Sequence, residues 1–580
     1  MKTVRLKDHG ILPNTDITAS LRALFEEYKE DTEFLFEDGD YYFSPTNALQ
    51  ADYRLSNTDV IPLRTLAILL KDMKNCALKG NGARLWLSGQ MQVFTLDHCE
   101  KVSLEGFTVN WKKPLAAEGR VVSKKGWEMD VYIDPQCFPH RFTGGNLEFD
   151  VGADEWYAFG KSTIVFEPHG LLARRDVSDV CIKSIRDLGG SVYRMTLYGD
   201  ENIHEGDLLN MRHCPRIHAG VFSEKCSDIT VENIVFYSCG GLGCLSQFCR
   251  NMTYKGVHFL TDKSLGRLVS GGRDDGMHIT CNAGTVTITE CTFHALMDDP
   301  INVHGCSVTS DEVVDERTLR CNFRHHQACG FLYWAEQGNE ISFINRASME
   351  SIGNAIVSSY ILEDRMTFLL TFDRPLPQEI LEKAREGDGL ALDNLTHTAA
   401  FVCTNNRFGS CRARGVLVST PKPVKITDNY FESSGSAILV AGDANYWFES
   451  GECHDVEISR NVFTSACLSS IYQFCDGVIS ICPVVPSPEE EKPFHKNIRI
   501  TENVFDTVGV PLLYAFSCKD LVFSENRIFK SPSISYQPEN KAPLCLRYCK
   551  NVLVEGNRWF GMHATTATRE EHCQNVKTDL

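Results

Sequence analysis

In Ile-Thr-Val-Glu-Asn-Ile-Val-Phe apolar and polar positions alternate up to the Asn, and the segment closes on an aromatic residue, Phe236. Related segments close at Phe259, Phe293, Phe408, Phe431, Phe463 and Phe505, then at Ile528 and Trp559. Three of the intervals, Phe236 to Phe259, Phe408 to Phe431 and Phe505 to Ile528, are 23 residues each. Two-residue alternation with β-branched side chains predicts strands, and the Asn or Gly inside each segment marks a bend. A period of this length predicts one coil per repeat, with each coil's inward face covered only by its neighbours. The pattern therefore predicts an all-β chain built as a right-handed parallel β-helix. Leucine-rich repeats are excluded because Leu-x-x-Leu-x-Leu does not occur.

Longer intervals measure insertions. Leu-Glu-Gly-Phe-Thr-Val ends at Val109, and the 127 residues to Phe236 exceed one period by 104. The 115 residues from Phe293 to Phe408 exceed it by 92. Both surpluses carry short alternating segments, Lys161 to Phe166 and Met366 to Leu370, and similar turns, Glu205-Gly206-Asp207 and Glu386-Gly387-Asp388. They predict two small inserted β-barrels. Surpluses of 11 residues before Phe293 and 9 before Phe463 predict loops protruding from coils. Near the N-terminus Asp16 can cap a helix with Ile17, Leu21, Leu24 and Phe25 on one face. That helix would cover the open end of the solenoid, and strands follow at Phe34 to Phe36 and Gly39 to Phe43. The expected organisation is 1–111 cap and first coils, 112–212 barrel, 213–306 coils, 307–398 second barrel and 399–580 final coils.

Two tracts in the third of these regions carry the chemistry. Arg273-Asp274-Asp275-Gly276-Met277-His278 and Met297-Asp298-Asp299-Pro300-Ile301-Asn302 superpose with an offset of 24, close to one period. Asp275 would stand over Asp299 at about 4.8 Å, the spacing of neighbouring strands, close enough to share one water. Asp298, one residue along, points elsewhere. Packed carboxyls repel, so one should bind a proton more firmly than a free acid does. A protonated acid and a carboxylate-held water are the parts of glycoside hydrolysis, with inversion at about 6.5–9.5 Å separation and retention at a closer one. A calcium site is the competing use of such a cluster. Asp-Asp-Gly is also a common turn, and Asp274 is expected to serve it.

Composition narrows the partners. A net charge of −18 over 580 residues argues against nucleic acid. No segment is long and apolar enough to span a bilayer, so no membrane partner is expected. Met1 to Gly10 shows no hydrophobic leader, which reads as cytoplasmic, or as secreted or periplasmic if a leader has been removed. The 24 cysteines include no Cys-x-x-Cys, and several (Cys226, Cys249, Cys518, Cys549) recur at like places in the repeats. They read as small core residues rather than disulfides or zinc ligands. No metal and no cofactor is expected. Trp447 sits in the protruding loop Gly442 to Glu449, where an indole face could take a sugar and Asp443 or Glu449 could accept its hydroxyls. Arg273, His278, Asn302 and His304 flank the acids and could donate.

These tracts, with Gly-Asp-Ala-Asn-Tyr-Trp-Phe-Glu-Ser-Gly (Gly442 to Gly451), resemble glycoside hydrolase family 110 over most of the chain. The resemblance implies an exo-acting, inverting α-1,3-galactosidase releasing terminal galactose, from blood group B structures or linear α-1,3-galactosides. It implies Asp298 as general acid, with Asp275 and Asp299 activating the water. It also implies a homodimer formed partly through the barrels. A pectin-cleaving β-helix hydrolase stands second, because its Gly-His-Gly and Arg-Ile-Lys motifs are absent. A lyase would want cations around its uronates, which this acidic chain supplies poorly. A non-catalytic carbohydrate-binding solenoid remains the reading from another class.

Overall fold

The computed structural model describes residues 1–580 except 59–60, 171, 270–273, 328–330, 388, 434, 469–473, 508–510, 532–541, 562–567 and 580. Each coil contributes a strand to each of three parallel sheets, as in Ser227–Glu232, Val235–Phe236 and Gly241–Gln247. The sheets run the length of the solenoid with 14, 12 and 13 strands among the described residues. The repeat endings read from the sequence pair in register: Val109 with Phe236, Phe236 with Phe259, and so on through Phe293, Phe408, Phe431, Phe463, Phe505, Ile528 and Trp559. Their rings stack face to face, with centroids 4.4 Å apart for Phe408 and Phe431 and 5.7 Å for Phe259 and Phe293. Each such stack is worth about 0.5–1.5 kcal/mol beyond its buried area.

The bends carry a second ladder. Asn406, Asn429, Asn461, Asn503, Asn526 and Asn557 sit one above another; Asn406 accepts the Cys291 N–H, and each later one accepts the backbone N–H of the asparagine in the coil before it. Cysteines do the same at another corner, where Cys99 N–H points to Cys226 Sγ at 3.3 Å and Cys226 N–H to Cys249 Sγ at 3.5 Å. Buried corner N–H groups need an acceptor, and small polar or sulfur side chains provide one without filling the core.

Both insertions close into six-stranded antiparallel barrels. In barrel 1 the first strand, Ala116–Lys125, pairs with the last, Leu208–Arg212. In barrel 2 Val308–Val313 pairs with Leu390–Asn394, so the chain leaves and re-enters the solenoid at one place. The solenoid is undisturbed by the excursion: Ile301 pairs with Val416 as if they belonged to consecutive coils. The N-terminal helix, Thr18–Glu27, buries Leu21, Leu24 and Phe25, and the Phe25 ring meets Phe34 edge-on at 4.9 Å. Asp16 Oδ1 accepts the Thr18 N–H at 2.9 Å and anchors its first turn. No helix among the described residues is long and apolar enough to cross a membrane.

Candidate active site

Strands Met277–Thr280 and Ile301–His304 are neighbours in the third sheet, with Met277 opposite Ile301 and His278 opposite Asn302. Gly276 N–H donates to the Asp299 carbonyl at 3.1 Å, which carries the register back to the acidic tracts. Asp275 and Asp299 therefore occupy equivalent places on consecutive coils. Gly276 is there because of close approach: a Cβ would lie 2.6 Å from the Pro300 carbonyl oxygen and 2.8 Å from the Phe293 ring. In the next coil the place of Asp299 is taken by Arg414. Its backbone N–H and its guanidinium each donate to one Asp299 oxygen, both at 2.8 Å.

The acids open into a cavity of about 500 Å³, within the range of small-ligand sites. Asp275, Asp298, Asp299, Asn302, Asp443, Trp447 and Glu449 line it, joined by Arg216, Arg412 and Arg414. Ser178, from barrel 1, completes one side. Asp298 keeps 28% of its side-chain exposure and lies 3.8 Å from the Arg216 guanidinium and 3.9 Å from that of Arg412. Arg412 is itself held by Asp179 of barrel 1, with one of the two contacts at 2.6 Å. Trp447 stacks obliquely on His325 of barrel 2, ring centroids 4.6 Å apart. Both barrels thus reach the rim.

The electrostatics separate the three aspartates. Burial drives Asp275 well above the ordinary carboxylate range, and the charge of Asp298 adds to it. Burial drives Asp299 the same way against the pull of Arg414. Asp298 also suffers burial, but Arg412, Arg414, Arg216 and Arg212 outweigh it and hold the group below the usual value. Burial thus favours the protonated form of Asp275 and Asp299, and the surrounding guanidiniums favour the carboxylate of Asp298.

The remaining expected residues divide. Asn302 Nδ2 donates to Glu449 Oε2 at 3.2 Å, while its buried Oδ1 takes no hydrogen bond among the described residues. Asp443 reaches the cavity wall, yet its oxygens accept the N–H groups of Asn445, Tyr446, Trp447 and Phe448, which fixes the loop that presents Trp447. His278 and His304 lie behind the wall, fully buried, not on it. Asp274 faces Arg212 at 3.4 Å, on the closing strand of barrel 1. Arg273 falls outside the described residues. His278, His304 and Glu449 bring ligand-type atoms within 4.8 Å of one another. The two histidine Nε2 atoms are 2.9 Å apart, closer than the roughly 3.3 Å between two nitrogens on a tetrahedral zinc, and so in hydrogen-bond range.

Sequence reasoning missed Arg216, Arg412 and Arg414. The signal was present for the last: Arg414 lies 115 residues after Asp299, the spacing of Phe293 and Phe408.

Residues 318–384, inside barrel 2, match the family model GLAA-B beta-barrel domain II. An α-1,3-galactosidase B of Bacteroides thetaiotaomicron is 34% identical, over 97% of this chain and 91% of its own. The chain belongs to the α-1,3-galactosidase family, glycoside hydrolase family 110. An α-1,3-galactosidase A of Bacteroides fragilis is 28% identical over 100% of this chain and 94% of its own. Among solved structures, a family 28 exopolygalacturonase of Yersinia enterocolitica aligns with 100% of this chain and 78% of its own at 10% identity, with a TM-score of 0.44. In this family 110 chain Asp275, Asp298 and Asp299 thus line one pocket, bounded by coil, loop and Ser178 of barrel 1, with His325 of barrel 2 against its Trp447.

Proposed function

We propose that the chain is an exo-acting, inverting α-1,3-galactosidase that removes terminal galactose from linear α-1,3-galactosides or blood group B structures. The observation that carries this reading is the in-register pair Asp275 and Asp299 lining one pocket with Asp298, which is the more exposed of the three. The pair can hold one water below the sugar. Asp298, nearer the mouth, can reach the departing oxygen as general acid. Arg414 clamps Asp299 from two sides, which suits an oxygen that positions water. Trp447 offers an indole face to the sugar ring, with Asn302 Oδ1 and Glu449 available to its hydroxyls.

The resting charges add one requirement. Asp298 must take up a proton as substrate enters, because its guanidiniums favour the carboxylate. A sugar that displaces water and screens those guanidiniums lowers that cost. The pocket's charges also favour a neutral ligand over a uronate. Three arginines face five carboxyls, two of which hold protons at rest, so no net positive charge awaits an acidic sugar.

Incubation with α-1,3-galactobiose and blood group B trisaccharide, followed by proton NMR during turnover, should show galactose appearing first as the β anomer. Galactose appearing first as the α anomer sinks inversion, and no galactose from either substrate sinks the function. The acid is identified by leaving group. Asp298→Asn should lose about 10³-fold in kcat on the disaccharides but far less on a dinitrophenyl α-galactoside, which departs without a proton. The same leaving-group dependence in Asp275→Asn instead would exchange the two roles. The reading extends to a homodimer joined through the barrels.

A further inference from the structure

His278 and His304 are buried behind the pocket, and their hydrogen bonds fix where protons sit. His304 Nδ1 lies 2.5 Å from the Gly305 carbonyl oxygen. A carbonyl can only accept, so this nitrogen carries the hydrogen and the other, Nε2, presents a lone pair. His278 Nε2 stands 2.9 Å from that lone pair and must be the donor between them. Neutral His278 is then bare at Nδ1, which faces Asp275 Oδ2 at 2.8 Å. The hydrogen in that contact comes from Asp275. The result is one directed chain from Asp275 through His278 and His304 to the Gly305 backbone, with every group satisfied.

The chain has a second state reached by a short proton displacement, and its cost is set by burial, which lowers the pKa of His278 to about 4. If the bridging proton crosses from Asp275 to His278, the acid becomes a carboxylate paired with an imidazolium. Glu449, whose Oε1 lies 3.7 Å from His304 Nε2, supplies compensating charge. Burial raises Glu449, but a charge on His304 or His278, the Asn302 amide and Arg414 pull it below its ordinary value, so an imidazolium here and a Glu449 carboxylate favour each other. Burial opposes the imidazolium most and Arg216 adds to it from the pocket side, while Glu449 and Asp298 favour it.

We infer that His278 and His304 are a positioning pair that withdraws the proton from Asp275, so that Asp275 rather than Asp299 becomes the base of the hydrolysis. This rests on the hydrolase reading above. In the step, the water oxygen bonds to the anomeric carbon and its proton passes to the free oxygen of Asp275. The glycosidic carbon–oxygen bond breaks as Asp298 gives its proton to the leaving oxygen. Asp298 takes one proton from solvent beforehand, and the Asp275–His278 pair returns one afterwards, so the cycle is balanced. Asp299, held by Arg414, orients the water throughout.

The hydrogen-bond chain is tested without substrate. Nitrogen-15 NMR of the full chain labelled at histidine should find opposite tautomers, hydrogen on Nε2 in His278 and on Nδ1 in His304. Hydrogen on Nδ1 of neutral His278 overturns the inference. Kinetically, His278→Gln should lower kcat about 100-fold with KM within about twofold, and move the acidic limb of the kcat profile to higher pH. The direction follows because Asp275 then keeps its proton further up the scale. His304→Gln, which still offers an acceptor to His278, should stay within about tenfold of the unaltered enzyme. A His278→Gln enzyme that is slow but has an unmoved acidic limb overturns the proton step. So does stoichiometric metal whose removal abolishes activity. If the unaltered enzyme frees no galactose, the hydrolase reading fails with the step, while the tautomers still report the chain on their own.

Discussion

Asp275 is a residue whose usefulness and whose burden to the fold have one origin. Burial raises its proton affinity above that of the unfolded chain. A group so raised contributes stability that is present below its unfolded value, near pH 4, and is lost as the pH climbs through the folded value. Asparagine keeps the shape, stays neutral and can donate to His278 Nδ1 as the protonated acid does. Asp275→Asn should therefore inactivate the enzyme yet raise its Tm, by about 1–3 °C at pH 8 and by less at pH 5. Calorimetry at the two pH values checks it, and a Tm lowered at pH 8 would contradict the assignment of Asp275 as an acid held protonated by burial. The aspartates themselves were legible in the sequence because doubled acids one period apart are hard to explain as turns. Of the arginines, only Arg414 left a trace, in its offset from Asp299. Arg216 precedes the first tract, and Arg412 and Arg414 follow an insertion, so nothing local joins them to it. The histidines were read as possible sugar donors. Which way an imidazole turns depends on its neighbours in the next coil, and the sequence does not display that.

At the scale of the element, the coil corners decide stability. Asn461 accepts the Asn429 N–H at 3.0 Å and donates to the Ile426 carbonyl at 2.8 Å, inside the solenoid. Alanine there leaves two buried backbone groups unanswered, each costing about 1–3 kcal/mol. Asn461→Ala should clearly lower the urea midpoint, and Asn557→Ala, in the partly exposed last rung, should lower it less. Equal effects would show that the ladder is not what holds the corners. The repeat endings were readable from spacing alone since an inward ring recurs once per coil whatever the loops do. The corner asparagines looked like bend residues; that they join into a continuous hydrogen-bonded column is visible only when coils are stacked.

For the whole molecule, the sequence displayed the insertions as excess length, and their related turns suggested related barrels. It did not show that barrel 1 lines the pocket through Ser178 and holds its Arg412 through Asp179, or that His325 of barrel 2 packs on its Trp447. Barrel 1 also leaves Trp127 57% and Tyr198 67% exposed on adjoining strand ends, the Leu197 N–H meeting the Trp127 carbonyl at 2.8 Å. Paired exposed aromatics of this kind favour an interface, and the homodimer proposed above would use them. Light scattering should return twice the chain mass, and Trp127→Ser with Tyr198→Ser should return the single mass; a monomer from the unaltered protein refutes it.

The pairing of Asp299 with Arg414 has a consequence in time. The two lie side by side in space, but the ribosome makes 115 residues between them. At about 5–20 residues per second, Asp299 waits some 6–23 s for its counter-charge. Arg216, from an earlier coil, is already present to meet Asp298, whereas the carboxyl that will hold the water emerges with no guanidinium to receive it. Barrel 2 is translated during that interval. A nascent chain halted inside the barrel would carry the complete acidic tract on an unfinished solenoid edge, so truncation there should leave a fragment that possesses all three candidate aspartates and cannot settle them.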